Sequence, residues 1–180
     1  MQALRAQALS TSPLSAVLSD EMRLAEALAM IDTTQRAWRE FVRLDPGNAI
    51  SWNNLGVSHL IKASIQEAMG RTDDAVATWR SMQAIAAQAP PSLMMANGAA
   101  FHAYRLAQLQ AQRGMRREAE AALAQAEAHN KWVVENAPTG SWERLSRPIF
   151  SDVWPVVVAE ALGDRRVALE MGRAVSPQLD

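Results

Sequence analysis

Apolar residues return every three or four positions along this chain, and clean two-residue alternation is missing. Helix is therefore the expected element throughout. Gly and Pro are sparse and fall at intervals, as between helices. The pattern predicts helices over about 2–18, 20–43, 48–69, 72–88, 92–113, 115–136, 149–162 and 164–174. Ser12-Pro13 reads as a cap and first-turn pair in the first of them. In the second, Leu24, Leu28, Ile31, Trp38 and Phe41 form the core stripe. "DPGN" ends it, because Pro46 cannot continue a helix, Gly47 permits the turn and Asn48 caps the third helix. Thr72 is the expected cap of the fourth helix, with Asp73 and Asp74 in the first turn, where the helix dipole favours negative charge. "NAPTGSWERLSRP", residues 136–148, reads as the one long loop. Pro155 sits in the first turns of the next helix or kinks it.

The helix-stopping glycines align with one another. "GRTDDAVATW" (70–79), "GMRREAEAAL" (114–123) and "GDRRVALEMG" (163–172) each carry Gly, a charged turn, and Ala five residues on: Ala75, Ala119 and Ala168. A weaker copy, "DEMRLAEALA" (20–29), puts Asp20 in the Gly slot and Ala25 in the Ala slot. Gly suits the left-handed end of a helix, and a small Ala one turn later lets an antiparallel partner approach. The repeated unit is thus a helical hairpin, present about four times.

Trp52, Leu55 and Gly56, followed by Gly70, Ala75 and Trp79 with "DPGN" ahead, resemble the tetratricopeptide repeat. That resemblance implies that Trp52 fills the space between paired helices, that Gly56 admits a neighbour closely, and that Trp79 takes an aromatic slot. His59 stands where the family has an aromatic, and Trp52 to Gly70 is about seven residues longer than in the standard repeat. Seven residues are two helical turns and preserve the face pattern. The next repeat keeps Gly and Ala but has Ala96 for Trp52, and Ala99 and Ala100 for Leu55 and Gly56. Long repeats of this kind occur in large multidomain bacterial signalling proteins. The expected fold is all-α: a right-handed stack of antiparallel hairpins, a tetratricopeptide-like solenoid of seven or eight helices. It forms one domain over residues 1–180, with hairpins at about 2–43, 48–88, 92–136 and 149–174.

Net charge is −1, so no global field recruits nucleic acid or an anionic membrane. Absent Cys excludes disulfides, a thiolate nucleophile and Cys-bound zinc. The N-terminal stretch has no continuous apolar region of signal-peptide type, and "WPVVVAEALG" is far too short to span a bilayer. A cytoplasmic protein is expected, and its abrupt start reads as a piece of a longer one.

Chemistry is thinly represented. His59, His102 and His129 are the only histidines, and no HExxH or paired ExxH accompanies them. Packing or surface roles account for them better than a metal does, although His102 and His129 lie on consecutive helices. Asp73-Asp74 and Glu118-Glu120 begin helices, where dipole compensation explains them. The Arg pairs at 116–117 and 165–166 recur at equivalent turns, which solvation explains more simply than phosphate binding does. No catalytic, cofactor or metal residue is assigned.

The binding candidates are polar residues on first helices: Asn54 and Lys62, then Asn97 and Arg105. In the resembling family such residues line a concave groove. Trp142, with Arg144 and Arg147, is the alternative. It either plugs a seam between hairpins or stands exposed as an anchor, since Trp and Arg dominate interface hot spots. The expected function is a non-enzymatic interaction module for a peptide or partner domain. A regulatory domain relaying a small ligand to fused domains is the alternative. No nucleic acid, membrane insertion or cofactor is expected, and a homodimer is left open.

Overall fold

A computed structural model describes Ser15 and residues 17–175, without the side chains of residues 143, 145 and 147–150. The expected cap Ser12-Pro13 and most of the first helix lie outside the described residues. Helical residues 17–20 lead into α1 (Leu24–Leu44), α2 (Ala49–Ala68), α3 (Thr72–Gln88), α4 (Leu93–Gln112), α5 (Arg116–Asn136), α6 (Trp142–Ala161) and α7 (Arg165–Val175). No strand occurs among the described residues, so the fold is all-α. Two compact units divide inside α4, at Gly98 and Ala99.

In the first unit, α2 packs on α1 and on α3. Asn48 caps α2 as the sequence suggests, its side chain accepting from the Ile50 and Ser51 amides at 3.1 Å. Trp38, Phe41 and Leu55 join α1 to α2 near the turn, and Ile31 meets Ile65 at the far end. Trp52 clusters with Met82 of α3 and Met95 of α4, and its indole nitrogen donates to the Pro46 carbonyl at 2.8 Å. Gly56 answers for its missing side chain: a Cβ there would stand 2.8 Å from the Met82 methyl carbon. Trp79 is buried and donates to Glu67 Oε1 at 2.8 Å.

The second unit contains the rest of α4 with α5, α6 and α7. Ala100, Ala103 and Ala126 bring α4 and α5 close, and Trp154 of α6 stacks on Tyr104 with ring centroids 5.2 Å apart. Tyr104 donates to Glu127 at 2.8 Å, and the buried Asn130 amide donates to Tyr104 Oη and to Ser151 Oγ. The loop expected over 136–148 is mostly helix. Gly140 makes the turn at φ +79°, Ser141 accepts from the Arg144 amide, and α6 starts at Trp142. Pro148 and Pro155 therefore lie inside α6. The expectation failed because it let Pro148 end the loop, whereas Ser141 starts the helix regardless.

Each hairpin corner has the same backbone bonding. At Gly70 the amide reaches back to Glu67, and the next amide, Arg71, reaches Gln66 at 2.8 Å. Gly114 and Gly163 repeat this, with Met115 on Gln110 and Asp164 on Ala159. These are left-handed helix ends that satisfy orphan carbonyls. Ala75, Ala119 and Ala168 are buried where the sequence places them. The weaker copy is shifted by two residues. Met22, at φ +58°, holds the corner, with Arg23 bonded back to Leu18, and Ala27 is the buried alanine. Ala25 is exposed. Thr72 is likewise not a cap: the corner itself runs into α3, with Arg71 at the cap position and no side-chain cap bond.

Candidate functional site

A shallow groove of about 300 Å³ lies in the first unit, where α1, α2 and α3 converge. Val42, Trp52, Leu55 and Ile85 supply its apolar surface, and Arg39, His59, Ser81 and Gln88 its polar groups. The helix period explains the set: Trp52, Leu55 and His59 are spaced three and four apart on α2 and share one face.

His59 is only 3% exposed. Its Nδ1 lies 2.8 Å from the Leu55 carbonyl oxygen, so that nitrogen carries the hydrogen and donates. Nε2 is then an acceptor, and Arg39 Nη2 stands 3.5 Å from it. Burial lowers the imidazole pKa to about 4, and the nearby Arg39 and Lys62 charges push the same way against the Leu55 bond. The ring is therefore neutral at pH 7. Arg39 makes one other long bond, to Gln35 Oε1 at 3.4 Å, and has no carboxylate partner among the described residues. The arrangement offers a guanidinium donor, steadied by the imidazole acceptor, over an apolar floor.

Of the residues proposed from sequence, Lys62 sits one turn beyond His59 but is tied to Asp32 of α1 at 2.7 Å. Asn54 is half-buried and lies roughly 200° around α2 from Trp52, so it is not in the groove wall. Asn97 is half-buried, with Oδ1 buried and lacking a hydrogen-bond donor. Asn54, Lys62 and Asn97 belong to the first unit and Arg105 to the second. Arg105 is half-buried and bonds Gln108 within α4. Trp142 is 74% exposed and plugs no seam. Arg144 is half-buried beside it in sequence, and the Arg147 side chain lies outside the described residues.

Sequence reasoning missed Arg39, Ser81 and Gln88, and took His59 as packing. A signal was present. Asp32, Gln35 and Arg39 recur at three and four residues on α1, a polar stripe beside the apolar one. That stripe had to meet polar residues on a neighbouring helix, and His59 and Lys62 are those residues.

His102 is buried, with its ring edge-on to Phe101 at 6.3 Å, and burial lowers the His129 pKa. No group of three potential metal ligands occurs among the described residues. No helix among them is long and apolar enough to cross a membrane. Compared with known proteins, the chain matches no family model, no curated protein and no solved structure.

Proposed function

We propose that this chain is a non-enzymatic, tetratricopeptide-like interaction module that holds a peptide or partner segment in the α1–α3 groove. The observation that carries the reading is Arg39, a cation without a carboxylate partner among the described residues, at the edge of an apolar surface. A bound segment would set an apolar side chain against Trp52, Leu55 and Ile85 and an acceptor on Arg39. His59 Nε2 would keep accepting from Arg39 and so hold the guanidinium in place. Charge-assisted bonds of this kind are about twice as strong as neutral ones. A regulatory domain closing over a small ligand is the weaker reading, because a groove of about 300 Å³ is at the lower limit for such sites. Trp142 with Arg144 and Arg147 is the second candidate surface, favoured by the exposure of Trp142.

Phage-displayed peptides selected on the wild-type chain provide the probe. Arg39→Glu should weaken the selected peptides at least about tenfold, the scale of one lost charge-assisted bond, without moving the melting curve. Unchanged affinity in Arg39→Glu, with loss in Trp142→Ala, transfers the function to the second surface. Loss only in the Asn54→Ala/Asn97→Ala/Arg105→Ala triple variant restores the sequence-based groove.

A further inference from the structure

The α1–α3 groove changes character along its length. Contacts between its helices set the levels. Asp32 and Arg39 of α1 meet Lys62 and His59 of α2, so these two helices run antiparallel. Thr78 of α3 bonds Gln66 of α2, and Met82 lies against Gly56, so α3 is antiparallel to α2 as well. Arg39, His59 and Ser81 therefore share one end of the groove. Val42 and Ile85, packed on the cluster around Leu55, make its middle, and Trp52 closes the other end.

The polar end has a cation on one wall and an acceptor on the other. The nearest carboxylates on α1 are engaged elsewhere, Asp32 with Lys62 and Glu40 with Arg43, so the Arg39 charge is uncompensated. Arg39 Nη2 makes two long bonds, while Nε and Nη1 donate to nothing among the described residues. On the α3 wall, the Ser81 hydroxyl donates to the Thr78 carbonyl at 2.7 Å, which leaves Oγ as an acceptor. The apolar middle lies one helical turn from this end, from His59 to Leu55, or about 6 Å. Alternate side chains of an extended segment point to one side and stand about 6.6–6.8 Å apart. A carboxylate on Arg39 and an apolar side chain over Leu55 and Ile85 are then two residues apart. An amide that reaches Ser81 Oγ must be free of helix bonding, as in an extended segment. We propose that the groove selects an extended peptide with a large apolar residue and an Asp or Glu two positions apart, its carboxylate on Arg39 and a backbone amide on Ser81. This selectivity rests on the groove being a peptide site.

Peptides selected from a random phage library on the full chain, then synthesised and titrated, test it. They should share the apolar–x–acidic pattern, in either order. Replacing the acid by its amide should weaken binding to wild type at least about tenfold, the scale of a charge-assisted bond. The same replacement should matter less than about twofold on Arg39→Gln, because the two groups are coupled. Arg39→Glu should instead favour peptides with Lys at that position. N-methylation along the peptide should find one amide that matters on wild type and not on Ser81→Ala. Selected peptides without a shared acid, with the acid four positions from the apolar residue, or with no coupling to Arg39 overturn the proposal. Ser81→Trp separates that failure from failure of the peptide site itself, because Ser81 is exposed and an indole there fills the groove without entering the core. Peptides that bind Ser81→Trp as they bind wild type are not in the groove, and both readings fall. Peptides lost in Ser81→Trp but indifferent to their acid leave the groove as a peptide site and sink only the selectivity.

Discussion

α3 and α7 begin in the same way and end differently. Both come after a glycine corner with the same backbone bonding, and both bury an alanine five residues later. Beyond it, α3 places Val76, Trp79 and Met82 in the core, and Met82 reaches Met95 of α4. α7 places Leu169 in solvent and Gly172 where α3 has Trp79. The corner sets where a hairpin forms. The residues six and nine positions after it decide whether the helix is sealed against another element or left with an open face.

Removing the seal should cost most. Trp79→Ala should destabilise by about 3–5 kcal/mol in urea unfolding, as large-to-small changes at buried aromatics do. Ala75→Trp and Ala119→Trp overpack the corner contact and should cost about 1–3 kcal/mol or more. Thermal melts matching wild type would place both alanines outside the close contact.

A pH experiment separates the polar seam from the apolar one. His59 titrates near 6.5 when unfolded and at about 4 in the fold. The unfolded chain takes up the proton first, so stability is whole above pH 6.5 and falls as pH drops toward 4. The loss should reach about 2–3 kcal/mol by pH 4.5. His59→Gln should lose less over the same range. Equal pH slopes in urea titrations would show that the ring is not buried neutral.

Smaller effects refine the corner. Met22 adopts the left-handed conformation that glycine adopts at the other three corners. Met22→Gly should raise stability by about 0.5–1 kcal/mol and Gly70→Ala should lower it by about the same amount, read from denaturation midpoints. Leu169→Glu should change monomer stability by less than about 0.5 kcal/mol, because that face of α7 is open.

Features carried by a few neighbouring residues were legible in the sequence, and features assembled across helices were not. Gly70, Gly114 and Gly163 announce their corners because left-handed backbone needs glycine, and at each corner one helix ends and the next begins within a few residues of expectation. The fourth corner was misread because Met22 gives no such sign. Aligning Arg23 and Glu26 with Arg71 and Asp74, which form the same ion pair three residues apart, would have placed it. The start of α6 was missed because two prolines outweighed a serine cap. The groove was harder. Its residues come from three helices, and Lys62, one turn beyond His59 on α2, is paired with Asp32 of α1. Pairing across helices depends on register, which helical periodicity alone does not fix.

The central claim is that the α1–α3 groove receives a foreign segment. A photo-reactive benzoylphenylalanine at position 81, on the groove wall, tests it most directly when irradiated with a selected peptide. The same probe at position 169 serves as the comparison. The account predicts peptide adducts at position 81 that vanish in Arg39→Glu, and none at position 169. Peptide adducts at position 169 and none at position 81 would contradict it.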